Sequence, residues 1–169
     1  MFESELQGLH IAPAGEDDLG ACVALMSANA AGARVGQEAE DLAPYVAAFR
    51  RMVAGGASVL HVARLPGMEA GRIAGMFELT IIDGLSFGGR PRAQVESVHV
   101  DPELRGCGIG RAMMRFAEAR ARDCGCVLLQ LTSNREREGA HDFYRALGYQ
   151  PSHVGYKLML WAVRGVRVA

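Results

Sequence analysis

The spacing of apolar residues changes several times along the chain. Residues 9–12, Leu9-His10-Ile11-Ala12, alternate as a short first strand. Asp17 and Asp18 then suit the positive end of a helix dipole, and Leu19, Cys22, Val23 and Met26 return at helical spacing. A second helix is predicted from about Asp41, with Leu42, Tyr45, Val46, Phe49, Met52 and Val53 on its apolar side. Pro44 falls in its first turn, where a missing N–H costs little, and Gly55-Gly56 ends it. Residues 58–64, 72–82 and 92–100 are short, β-branched or apolar runs separated by Gly/Pro turns, the pattern of an antiparallel meander.

From Ile109 the period returns to 3.6, with Ala112, Met113, Phe116, Ala117, Arg120, Ala121 and Cys124 following on one side as far as Gly125. The run 127–132 predicts a buried strand, parallel to the one before the helix because a crossover helix joins them. A last helix carries Ala140, Phe143, Tyr144 and Leu147, capped by Gly148, and residues 156–163 predict a closing strand. The order β-α-α-β-β-β-α-β-α-β defines an α+β chain around a mixed sheet.

The 169 residues suit one domain spanning 1–169, and 50% hydrophobic with 22% charged residues is a globular balance. With 18 basic and 19 acidic side chains, nothing in the charge calls for nucleic acid or an anionic membrane. No apolar run approaches the ~18 residues of a membrane span and the first residues lack a secretory pattern, so a cytoplasmic protein is expected. Cys22, Cys107, Cys124 and Cys126 form no Cys-x2-Cys pair, and no His stands near Cys124-Gly-Cys126. Structural thiols and no metal are therefore expected.

The chemistry concentrates in residues 98–111, Val-His-Val-Asp-Pro-Glu-Leu-Arg-Gly-Cys-Gly-Ile-Gly-Arg. A strand runs into a Pro-containing loop, and glycines then open a helix. Glycine lets backbone N–H groups close on a ligand, and the helix dipole adds positive partial charge, so the segment reads as a phosphate or pyrophosphate cradle. A P-loop would need Gly-Lys-Ser/Thr where Gly110-Arg111-Ala112 stands, and the dinucleotide fingerprint lacks its third glycine.

Arg105-Gly106-Cys107-Gly108-Ile109-Gly110 resembles the acetyl-CoA-binding motif of the GNAT superfamily of N-acetyltransferases, Arg/Gln-x-x-Gly-x-Gly/Ala. The flanks resemble it too: the strand before, Asn134 after the next strand, and Phe143-Tyr144-Arg145-Ala146-Leu147-Gly148-Tyr149. The ending Ser152-His153-x-Gly155-x-Lys157 resembles a bacterial subset that includes small-molecule amine acetyltransferases. The resemblance implies a mostly antiparallel splayed sheet in a three-layer sandwich with about four helices. It implies that pantetheine lies in the gap of the splay, beside the strand of Val98, His99 and Val100. Backbone amides from Cys107 to Arg111 would hold the pyrophosphate, with Asn134 and Phe143 on the other side.

Acetyl transfer needs a base, since an ammonium cannot attack a carbonyl, and a proton for the leaving thiolate. Glu96, on the strand two residues before Val98, is the candidate base, and the resemblance makes Tyr144 the general acid. Glu78 is an alternative base, expected to face outward. The His99 side chain alternates with Val98 and Val100 and is expected to pack on the opposite face, with His141 and His153 at the surface or pocket edge. The implied acceptor is a small primary amine. An acetyltransferase of protein or peptide amino groups and a non-catalytic acyl-CoA-binding regulatory domain are the alternatives, and assembly as a homodimer is left open.

Overall fold

The computed structural model describes residues 8–30, 35–69, 71–158 and 160. Along them run β1 (His10–Pro13), α1 (Leu19–Ala28), α2 (Ala43–Gly55), β2 (Ser58–Arg64), β3 (Gly75–Ile82), a four-residue turn α3 (Ser86–Gly89), β4 (Arg92–Val100), α4 (Ile109–Asp123), β5 (Leu129–Leu131) and α5 (Glu138–Ala146). The strands make one sheet in the order β1-β2-β3-β4-β5. Its first four strands are antiparallel neighbours, and β5 lies parallel to β4, as a crossover through α4 requires. This is the mixed, mostly antiparallel α+β architecture read from the periodicity.

Alternation along the strands divides the core into two layers. Phe77, Leu79, Ala93 and Val95 face α4, whose Ile109, Met113, Met114, Ala117 and Ala121 are buried against them. Leu60, Val62 and Met76 face the other way, under Leu19, Cys22 and Leu25 of α1, with Val46, Phe49 and Met52 of α2 alongside. Gly75 brings α4 close to the sheet, because a Cβ there would lie 2.7 Å from Met113 Sδ and 2.9 Å from the His99 carbonyl. Met113 and Met114 are fully buried, and truncating either to Ala would cost about 2–5 kcal/mol. No described helix is long and apolar enough to cross a membrane.

Three expectations need correction. The run 127–132 enters the sheet where the Val127 amide donates to the Pro91 carbonyl, but β5 is only Leu129–Leu131 and is half-buried, because beyond it the chain parts from β4. The strand expected from residue 72 starts at Gly75. Residues 156–158 and 160 form no strand, and residues 159 and 161–163 of the expected closing strand lie outside the described residues.

Candidate active site

Strands β4 and β5 pair only where Ala93, Gln94 and Val95 lie beside Leu129, Gln130 and Leu131. From Glu96 to Val100, β4 continues without β5, which opens the gap on that side. Here β4 also holds a bulge. Met76 lies opposite His99 but Glu78 opposite Glu96, so two residues, Ser97 and Val98, face the single Phe77, and Ser97 takes a positive φ of 52°.

The bulge resets the alternation. Ala93 and Val95 before it, and Val98 and Val100 after it, all turn their side chains to the α4 core. It also sets the backbone. The Asp101 amide donates to the Ala74 carbonyl, so the Val100 carbonyl points away from β3, and alternation places the Val98 backbone on the same gap side. The His99 backbone is turned toward β3 and its side chain is buried on the opposite face from Val98 and Val100. Of the three strand residues expected beside a cofactor, Val98 and Val100 are those facing the gap.

At the end of β4, Asp101 caps the turn 102–104 by accepting the Glu103 amide, and its carboxylate takes Arg72 at 2.8 Å. The chain then turns through Gly106 and Gly108, at φ of 81° and 86°, a region that favours glycine. Gly108 is the N-cap of α4, with no side-chain cap, and the first turn of α4 holds no acidic residue. Nothing lies within 4 Å of a Cβ built on Gly106 or Gly108. Orphan N–H groups of the first turn, a positive helix end, open space beside Gly106 and Gly108, and the exposed Arg111 together fit a pyrophosphate. Gly110 serves packing instead, since a Cβ there would stand 3.3 Å from Phe143 Cζ and 3.6 Å from Val100 Cγ2. That contact seats α5 over the start of α4.

Tyr144 lies one residue on, its ring edge-on to Phe143 at 5.1 Å and to Tyr149 at 5.9 Å. Burial pushes its hydroxyl above the ordinary phenol value, with the Arg137 charge working against it, so the group stays protonated at neutral pH. Asn134 sits three residues past β5 and organises the turn into α5: its side chain accepts the Glu136 amide at 3.2 Å, and its carbonyl meets His141 Nε2 at 2.9 Å.

Glu96 is exposed, and Glu78, directly across from it, is half-buried rather than outward-facing. Both lie on the α1 side of the sheet, where the Glu78 charge adds to the burial and the Asp18 charge that push the Cys22 thiol up to about 12. Asn29 escaped the sequence reading. It follows α1, and its side chain donates to the Leu25 carbonyl at 2.9 Å and the Val100 carbonyl at 3.2 Å while accepting from Arg105. One amide thus ties α1 to both β4 and the glycine loop. An Asn just past a helical run signals a cap, but not its reach to a strand 71 residues on.

Comparison with known proteins adds three findings. A model described as the acetyltransferase (GNAT) family matches residues 31–149. The chain is 38% identical over 60 residues to an aminoalkylphosphonate N-acetyltransferase of Salmonella typhimurium, covering 36% of this chain and 39% of that one. It is 36% identical over 80 residues to a glucosamine 6-phosphate N-acetyltransferase of Trypanosoma brucei brucei, covering 47% and 52%. These matches span less than two thirds of either relative. A crystal structure of a transcriptional regulator from Bacillus halodurans superposes with a TM-score of 0.81 at 31% identity, over 90% of this chain and 99% of that one.

Proposed function

The chain belongs to the acetyltransferase (GNAT) family, and from that premise we propose that it transfers the acetyl group of acetyl-CoA to the primary amine of a small molecule, by direct attack in a ternary complex. The observation that carries this reading is the parting of β4 from β5 beside an uncapped, acid-free helix N-terminus. Acetyl-CoA supplies an activated thioester when bound. Backbone amides of Cys107 to Arg111 hold its pyrophosphate, Arg105 and Gly106 stand at the start of that loop, and the backbone of Val98 and Val100 meets the pantetheine and polarises the carbonyl. Asn134 and Phe143 bound the site from the α5 side.

Glu96 takes the proton from the attacking ammonium, directly or through water, with Glu78 facing it across the strands. Tyr144 serves the leaving sulfur. An ordinary thiol ionises near ~8.5, below a phenol near ~10, so full proton transfer from Tyr144 runs uphill, and its work is mainly to donate a hydrogen bond as negative charge develops. The reading needs no metal and takes 1–169 as one cytoplasmic domain.

The acceptor class rests on the relatives, whose names specify an aminoalkylphosphonate and an amino sugar phosphate. Thiol release from acetyl-CoA, screened against aminophosphonates, amino sugar phosphates, aminoglycosides, polyamines, amino acids and peptides, tests it. Turnover with a small amine supports the proposal, and turnover with peptides alone moves the acceptor to protein. Tight acetyl-CoA binding with no release for any amine favours the regulatory reading, in keeping with the description of the Bacillus halodurans neighbour as a transcriptional regulator.

A further inference from the structure

The peptide between Val100 and Asp101 is held at both ends. Its N–H donates to the Ala74 carbonyl at 2.9 Å, on the β3 side, and its carbonyl accepts from Asn29 Nδ2 at 3.2 Å, on the side that β5 has left. Without Asn29 that carbonyl would face the gap with no strand to serve it. This is the last peptide of β4, and only the turn 102–104 separates it from Arg105 and the glycine loop.

The Asn29 amide is used in full. One N–H goes to the Leu25 carbonyl at 2.9 Å, the other to Val100, and Oδ1 accepts from Arg105. These partners fix the orientation of the amide, since a flipped group would turn its oxygen on two carbonyls. Its backbone is fixed as well: the Asn29 N–H reaches the Leu25 carbonyl at 3.2 Å, and the Leu25 side chain is buried in the core under the sheet. Arg105 is exposed at the mouth of the loop, where a phosphate could draw its guanidinium outward, yet the side chain turns to Asn29.

We propose that Asn29 is a positioning residue for acetyl-CoA binding. Through the Val100 peptide and the Arg105 side chain it holds the end of β4 and the first residue of the glycine loop in one arrangement, and the Arg105 guanidinium serves that arrangement rather than a phosphate of the cofactor. The inference rests on the acetyl-CoA reading above.

A double-mutant cycle read by calorimetric titration with acetyl-CoA tests it. Asn29→Ala and Arg105→Ala should each weaken binding by about 10-fold, and the double variant should be no weaker than either single one, because each substitution removes the same contact. Asn29→Asp, which can still accept from Arg105 but cannot donate to Val100, should lie between Asn29→Ala and the wild type. Hydrogen exchange in the protein without ligand gives a second readout, which needs no cofactor: the Gly106, Cys107 and Gly108 amides should exchange faster in Arg105→Ala, whose substituted side chain is exposed, even if Asn29→Ala folds poorly. Losses that multiply in the double variant would place the guanidinium on the cofactor and overturn the proposal, as would unchanged affinity in a folded Asn29→Ala protein or unchanged exchange at the three loop amides. A wild type that does not bind acetyl-CoA would instead remove the proposed function, and this inference with it.

Discussion

Glu78 and Glu96 stand directly opposite each other across β3 and β4, on the face of the sheet that α1 covers. Like charges in that position oppose each other, so the pair is a cost to the fold that a substrate ammonium would relieve. Glu96→Gln should lower kcat/KM by ~10²-fold while leaving the acetyl-CoA Kd nearly unchanged. Glu78→Gln should raise stability by roughly 0.2–1 kcal/mol, read as a higher Tm, with a smaller loss of activity. If the losses rank the other way, the base is Glu78.

The bulge that places these residues also marks where sequence reading ran out. A short β-branched, apolar run between turns identifies β4, and the two polar residues Glu96 and Ser97 between Val95 and Val98, where strict alternation allows one, are the trace the bulge leaves, although serine carries no signal for a φ of 52°. The glycine loop was legible because Gly106 and Gly108 hold backbone angles that favour glycine, while Gly110 keeps only a small residue's space beside Phe143. The described residues of the expected closing strand, 156–158 and 160, form no strand for a different reason: an alternating apolar pattern specifies a strand and leaves its partner unspecified.

The two uses of glycine separate experimentally. Gly108→Val puts a branched side chain at φ 86° into open space beside the proposed pyrophosphate, so acetyl-CoA binding should be lost in calorimetric titration while the fold survives. Gly110→Ala pushes on Phe143 instead and should cost about 1–3 kcal/mol of stability with the larger part of binding retained. Wild-type affinity in a folded Gly108→Val protein would remove the cofactor assignment.

His61 should make the fold acid-sensitive. Its ring stacks on Phe77 at 4.8 Å, lies edge-on to Phe116, and meets the Val59 carbonyl through Nδ1, the donor in the neutral tautomer this contact selects. Burial lowers its pKa below the ordinary 6.5. The unfolded chain then binds a proton near 6.5 while the folded ring resists it, so the stability present above that pH declines as pH falls through the window below it. Tm measured from pH 8 to pH 5 should fall less steeply for His61→Phe than for the wild type, and parallel curves would assign the acid sensitivity to other groups.

Tyr144 offers the sharpest division between catalysis and binding. Its ring is held by Phe143 and Tyr149, and Tyr144→Phe keeps that packing while removing only the hydroxyl, so Tm should move little. A thiolate can leave unprotonated, and a hydroxyl raised by burial helps it by a hydrogen bond rather than by full transfer, so the loss in kcat should be moderate, on the order of 10–10³-fold. Because that hydrogen bond strengthens only as the C–S bond breaks, the acetyl-CoA Kd should stay within a few-fold of wild type. A rise in Kd matching the fall in kcat/KM would make Tyr144 a binding residue, and unchanged turnover would leave the sulfur to another donor.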